Sequence, residues 1–306
     1  MLVVIALGGN SLLPRGEPMD VAVQRANIKV AAEAVAEIAK EHRVVLTHGN
    51  GPQVGLLALQ NEAYAEVEGY PLDVLDAESE GMVGYLLEQE LGRHLPRDRL
   101  ATLLTQVIVD PNDVAFSHPT KFVGPVYEAR DARILAHERG WAVAPDGPAG
   151  DHWRRVVPSP EPKSIVELHT IRTLAHHRIT VTCAGGGGIP VVPDGMGGLR
   201  GVEAVIDKDL SAALLAKQLG ADALLLLTDV DAVYVGWGTP DQRAIRDTRP
   251  ALLRPIELPA GSMGPKVDAA CRFVEGGGRF AAIGALGDAA AILRGEAGTI
   301  VRDGDY

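Results

Sequence analysis

Cysteine is nearly missing: Cys183 and Cys271 are the only two in 306 residues. They offer neither a disulfide framework nor a metal-ligand spacing, so a reducing compartment is the simplest setting. Positive charge is also scarce. Lys and Arg number 29 against 40 Asp and Glu, a net charge of −11. A nucleic-acid partner or an anionic membrane surface would need a basic footprint, although a local lysine cluster can still dominate its own cleft. No apolar run reaches the ~20 residues that span a bilayer. The run that starts at Leu2 is too short for a signal sequence and has no basic leader. The expectation is a cytoplasmic protein with no membrane and no nucleic-acid partner. Familiar catalytic signatures are missing too. There is no G-x-x-x-x-G-K-[ST] loop, no protein-kinase set, and no nucleophile-elbow context around the adjacent Ser117 and His118.

What the chain does contain is an alternation of short apolar runs with helical periodicity, at 46% hydrophobic and 23% charged residues. Leu2–Leu7 reads as a strand buried on both faces. A helix over 21–41, a strand over 43–47, helices over 52–67 and 72–95 and a strand over 101–109 follow. Such a sequence predicts a doubly wound sheet with right-handed crossovers. Prolines then crowd residues 110–162, with short β-like pieces around one helix at 128–139. This stretch reads as an inserted subdomain or lid. The α/β rhythm returns with a helix near 167–176, a strand over 179–183, a hairpin-like stretch over 190–200 and a helix over 209–219. A very apolar strand over 223–227, a helix after Pro265 and strands over 280–285 and 299–301 complete it. A break near residue 200 suggests an N-terminal lobe, 1–200, for an acceptor and a C-terminal lobe, 201–306, for a second ligand.

Glycine marks the candidate sites. Leu7-Gly8-Gly9-Asn10 closes the first strand, where main-chain N–H groups can approach phosphate oxygens with no Cβ in the way. A plain turn would use the same residues, but ligands collect at this edge of open α/β sheets. Gly49-Asn50-Gly51-Pro52-Gln53-Val54-Gly55 ends a strand and opens a helix. It superficially resembles a dinucleotide fingerprint, yet its third glycine is one position late and no acidic residue ends the following strand. The reading kept is a small anion at a helix N-terminus, with His48 a structural hydrogen-bonder. Gly185-Gly186-Gly187-Gly188 costs backbone entropy that a fold keeps only where side chains cannot fit. In Asp207-Lys208-Asp209 a helix cap accounts for one aspartate. Lys208 is then a phosphate-facing charge, and Asp209 holds lysines in place. Gly261-Ser262-Met263-Gly264-Pro265-Lys266 supplies a second cation. The whole reading requires Lys208 and Lys266 to meet in one cleft.

With Thr47 to Gly55, Leu104 to Pro111, Pro119-Thr120-Lys121, Trp153 to Pro160 and the glycine run to Pro193, the chain resembles the amino acid kinase superfamily. Within it, the carbamate kinases are the branch it looks like. The resemblance implies a three-layer α/β/α sandwich with a mostly parallel central sheet and a small inserted lid subdomain. Relatives such as acetylglutamate kinases carry a lysine two residues before the Gly-Gly; here that residue is Ala6. The resemblance supplies Lys121, from the insertion, as the replacement cation, delivered as the lid closes. The implied reaction is reversible phosphoryl transfer between ATP and carbamate, giving ADP and carbamoyl phosphate. Carbamate would bind through Gly8, Gly9, Asn10, Gly49, Asn50 and Gly51. Lys121, Lys208 and Lys266 would surround the phosphoryl group, with Asp209 as organiser. ATP would lie near Gly186, Gly187, Thr228, Asp229, Val230, Tyr234, Met263 and Gly264. The resemblance also implies Mg2+ carried with the nucleotide, no dedicated metal cage, and a homodimer. The alternatives are another superfamily kinase with a different acceptor, or a nucleotide-binding regulator that has lost catalysis.

Overall fold

The computed structural model describes residues 1–13, 20–64, 66, 69–146, 152–258 and 263–304. Its central sheet has eight strands: β1 (Leu2–Leu7), β2 (Arg43–His48), β3 (Leu100–Thr102), β4 (Thr180–Thr182), β5 (Ala223–Thr228), β6 (Asp247–Thr248), β7 (Phe280–Ala285) and β8 (Thr299–Val301). Their order is β6-β8-β7-β5-β1-β2-β4-β3. Neighbours run parallel, apart from the antiparallel pair β7 and β8. Every strand from the first 200 residues lies on one side of the β5–β1 junction, and every later strand on the other. That junction is the switch point at which open α/β sheets leave a crevice.

Period-2 alternation along buried strands builds two cores, one on each face. Val3, Ile5 and Leu7 of β1 pack with Leu46, Leu225 and Leu227 against α1 (Val21–Glu41) and α3 (Leu72–Leu91). Leu2, Val4 and Ala6 point the other way, toward α5 (Leu168–His176), α6 (Lys208–Leu219) and α7 (Met263–Glu275). The result is the expected three-layer sandwich. Between α1 and α3 lies α2 (Gly51–Ala63), which ends sooner than the periodicity suggested, and α3 likewise stops at Leu91 rather than 95.

The run 101–109, expected as one strand, is two. Leu100–Thr102 belongs to the central sheet, and Gln106–Val109 joins a second, four-stranded sheet with Ile189–Pro193, Leu199–Gly201 and Pro162–Ile165. Thr105 marks the change: its N–H donates to Glu80 Oε2 and its hydroxyl to Leu103 O. The expected hairpin at 190–200 is there, antiparallel. Between Val109 and Pro162 the chain builds a separate small unit. Strands Lys121–Glu128, Val143–Pro145 and His152–Val157 form a three-stranded sheet beside α4 (Ala129–Arg139). This unit rests on α2 by direct backbone approach. A Cβ on Gly55 would stand 2.1 Å from Gly124 Cα, so only glycine fits.

Candidate active site

The loops singled out in the sequence leave one edge of the sheet. In β1 the last residue, Leu7, is in register with His48 of β2 on one side and Leu227 of β5 on the other. Gly8-Gly9, Gly49-Asn50-Gly51 and Thr228-Asp229 therefore emerge side by side at the C-terminal ends of adjacent strands. Gly8 N–H donates to Leu227 O at 2.9 Å and Gly49 N–H to Leu7 O at 3.0 Å, fixing both turns. Gly49 allows a close approach: a Cβ there would lie 2.8 Å from Gly9 N and 3.2 Å from Lys208 Cδ. Lys208 thus lies over the two glycine loops. Gly51 and Gly264 have open space where a side chain would be. Asn10 falls in the helical turn Gly9–Leu12, and its side chain lies outside the described residues, as do Gly261 and Ser262.

Helix α6 begins at this edge. Asp207 caps it, its Oδ1 accepting from Asp209 N at 2.9 Å and Leu210 N at 3.3 Å. The other oxygen of Asp207 takes Lys121 Nζ at 2.6 Å, across 86 residues. So the aspartate assigned to a cap does two jobs, and the second was not foreseen. Burial alone would raise the Asp207 carboxyl. The Lys121 and Lys208 charges and the hydrogen bonds to it overcome that and hold it well below the usual carboxylate range. Asp209, one residue into the helix, pairs with Lys208 through Oδ1 and with Lys266 through Oδ2, the latter at 3.3 Å. All three are buried, with Lys266 and Asp209 each 3% exposed. Lys208 and Lys266 meet on one carboxylate, as the sequence reading required. Burial pulls the Lys208 ammonium below its ordinary range; Asp209 opposes this and the Lys266 charge adds to it. An arriving phosphoryl group would relieve the same strain, because added negative charge favours the ammonium form.

The glycine run is tightly packed. Ala184, Gly186, Gly187 and Gly188 all have left-handed φ, at 49°, 70°, 109° and 87°. A Cβ would meet the His48 ring from Gly185, the Asn50 amide from Gly186, Ile206 O from Gly187 and Val107 from Gly188, each within 2.6 Å. The nearest atoms to Gly186 and Gly187 therefore belong to Asn50 and Ile206, not to the Thr228–Tyr234 segment. In that segment Thr228 Oγ1 donates to Asp229 Oδ1 at 2.9 Å, Val230 is half-buried, and Tyr234 Oη donates to Asp231 Oδ1 at 2.6 Å. Met263 packs on the core at the start of α7.

Sequence reasoning missed a buried polar layer beneath these loops. Asn50 Nδ2 donates to Asp76 Oδ1 at 3.1 Å and Ser79 Oγ at 2.7 Å. Glu80 accepts Gly185 N–H at 2.7 Å and Thr105 N–H at 3.0 Å. Burial pushes the Glu80 carboxyl up to about 8 and Asp76 well above its usual range. His48 is buried with Nδ1 3.2 Å from Gly49 O, and burial lowers its pKa to about 4. Asp76, Ser79 and Glu80 stand at i, i+3, i+4 on the buried face of α3, a spacing that groups them on one face but does not say what that face meets.

Comparison with known proteins gives the chain's family. The model of the amino acid kinase family matches residues 1–284. A carbamate kinase of Rhizobium meliloti is 59% identical over 98% of this chain and 93% of its own length. One from Escherichia coli K12 is 50% identical over 97% of this chain and 98% of its own. Among solved structures, a carbamate kinase from Giardia lamblia bound to citric acid superposes with TM-score 0.91 at 41% identity, covering 99% of this chain and 98% of that one. The same enzyme bound to AMP-PNP gives 0.88, with the same coverage. On a family model that takes in most of its length and relatives similar from end to end, this chain belongs to the amino acid kinase family.

Proposed function

We propose that this chain is a carbamate kinase, a phosphotransferase that moves the γ-phosphoryl group of ATP to carbamate and back from carbamoyl phosphate to ADP. The observation that carries the reading is the Asp209 carboxylate holding two buried lysines, one of which, Lys208, lies against the Gly49 loop beside Gly9. Relatives named carbamate kinase at 50–59% identity support it.

Carbamate is already an oxyanion near neutral pH, so its attack on phosphorus needs no general base. Catalysis then rests on in-line placement and on neutralising charge over the transferring oxygens. Main-chain N–H groups at the sheet edge hold the acceptor, from Gly9, Asn10, Asn50 and Gly51, while Gly8 and Gly49, whose own N–H groups close the two turns, shape the loops around it. Lys208 and Lys266 face the phosphoryl group, fixed by Asp209. Lys121 brings a third charge from the insertion; here it docks on Asp207 with its side chain 31% exposed, which leaves it room to move. Each such contact is worth ~3–4 kcal/mol where it strengthens in the transition state. The nucleotide lies on the 201–306 half, beside Thr228, Asp229, Val230, Tyr234, Met263 and Gly264. Mg2+ arrives with the nucleotide, neutralising its phosphates. The protein works as a cytoplasmic homodimer, as its family commonly does, without nucleic-acid or membrane partners. No helix among the described residues is long and apolar enough to cross a membrane.

A coupled ADP-release assay across carbamate and amino-acid carboxylates such as N-acetylglutamate tests the acceptor. Carbamate-dependent release is expected. Preference for an amino-acid carboxylate would replace this reading with another kinase of the family.

A further inference from the structure

The acceptor site must distinguish a small planar anion from near-identical ones. Carbamate has a carboxylate and an amino group; acetate has a methyl group in the amino position. Main-chain N–H groups recognise carboxylate oxygens equally well in both. Selection between them requires a hydrogen-bond acceptor at the amino position, and Asn50 has one.

The Asn50 amide is fixed by its neighbours. The Ser79 hydroxyl donates to Asp76 O at 2.9 Å, so at 2.7 Å from Asn50 it can only accept. That places Nδ2, not Oδ1, against Ser79. The second amide hydrogen goes to Asp76 Oδ1 at 3.1 Å. Gly186 blocks rotation: a Cβ on it would lie 2.2, 2.4 and 2.5 Å from Nδ2, Cγ and Oδ1, near-equal distances that put its backbone across the amide face. Both hydrogens are spent, and Oδ1 is the amide's remaining acceptor. The residue bearing it stands between Gly49 and Gly51 at the sheet edge and is 2% exposed. Once substrate covers it, a carbonyl oxygen left without a donor is costly, which is the condition under which a site rejects an analogue lacking one hydrogen-bonding group.

Building on the carbamate-kinase reading, we propose that Asp76 and Ser79 are positioning residues that lock the Asn50 amide with its carbonyl oxygen as the acceptor for the substrate amino group. The site thereby favours a carbamoyl over an acetyl group. ATP formation from ADP by the purified chain, with carbamoyl phosphate or acetyl phosphate as donor, reads this directly. The wild-type chain is expected to prefer carbamoyl phosphate in kcat/KM by about tenfold or more. Ser79→Ala and Asp76→Ala should lower kcat/KM for carbamoyl phosphate about tenfold, leave acetyl phosphate nearly unchanged and leave the KM for ADP in place. Asp76→Asn, which keeps an oxygen for Asn50, should retain the preference. Equal use of both donors by the wild-type chain would overturn the proposal, and so would variants that lose both activities in parallel. Failure to make ATP from either donor would instead sink the kinase reading itself.

Discussion

Asp209 receives Lys208 on one oxygen and Lys266 on the other, so a single carboxylate sets the spacing of two cations. Buried pairs of this kind contribute little net stability, but removing one partner exposes the desolvation cost of the rest. Asp209→Asn keeps the shape and one acceptor while losing the charge. A folded protein is expected, with kcat down by ~100-fold or more. Full activity with a wild-type Tm would refute the organising role. Lys121→Ala should lower kcat far more than it raises the KM for ATP, because its contact strengthens in the transition state; steady-state kinetics in both directions would show this. Lys208, Asp209 and Lys266 were legible in the sequence because glycine loops lie beside them and because a helix cap explained one aspartate but not the neighbouring lysine, whereas Lys121 came only from the family resemblance. Asp76, Ser79 and Glu80 were not legible. Their spacing puts them on a helix face, but nothing in the sequence says that the face meets Asn50 and Gly185. Asp207 was only half legible, since its partner Lys121 is 86 residues away.

Helix α3 carries its three polar residues under the site, and its environment gives stability a pH dependence. A carboxyl raised to about 8, as for Glu80, keeps a proton in the folded chain that the unfolded chain loses near 4.5. Stability therefore falls as pH rises through that window. His48, lowered from 6.5 to about 4, acts oppositely: the unfolded chain takes up a proton there that the folded chain refuses, so stability rises with pH up to 6.5. The two oppose each other at acid pH, and from 6.5 to about 8 the Glu80 effect stands without that opposition, by about 2 kcal/mol. Asp76 is shifted in the same direction as Glu80. Thermal unfolding should show Tm falling from pH 6.5 to 8, and less steeply in Glu80→Gln; superimposable profiles would contradict the assignment. At the contact of α2 with the insertion, Gly55→Ala would drive a methyl into Gly124 Cα. Overpacking against backbone costs ~1–3 kcal/mol. The same shift displaces the strand that begins at Lys121, so turnover should fall along with Tm; unchanged kinetics would show the approach to be dispensable. Most elements followed from apolar periodicity. The run 101–109 misled because two consecutive strands of different sheets have the same apolar character, and the hydrogen bonds of Thr105 with Glu80, Ala184 and Ile189 that mark the break involve partners a local reading does not reach.

Across the whole molecule, β1 is the hinge of the account. Its alternating residues feed both cores, and its C-terminal end lies where the two halves of the sheet meet. Loops from both halves therefore reach one edge, which is how groups distant in sequence converge without a continuous motif. A homodimer of the 32.3 kDa chain is expected, and sedimentation equilibrium should give twice that mass; a monomer would contradict it. The layered architecture and the sheet edge were foreseeable from strand–helix alternation. The order of strands and the second sheet were not, because pairing partners leave no local trace. On the proposed mechanism, the Asp209-bound lysines neutralise the phosphoryl group as it passes to and from carbamate. ATP formation from ADP and carbamoyl phosphate, compared between the purified chain and Lys208→Ala, tests it most directly. Rapid ATP formation by the chain and a loss of at least ~100-fold in the variant are expected, whereas equal rates in the two would contradict the account.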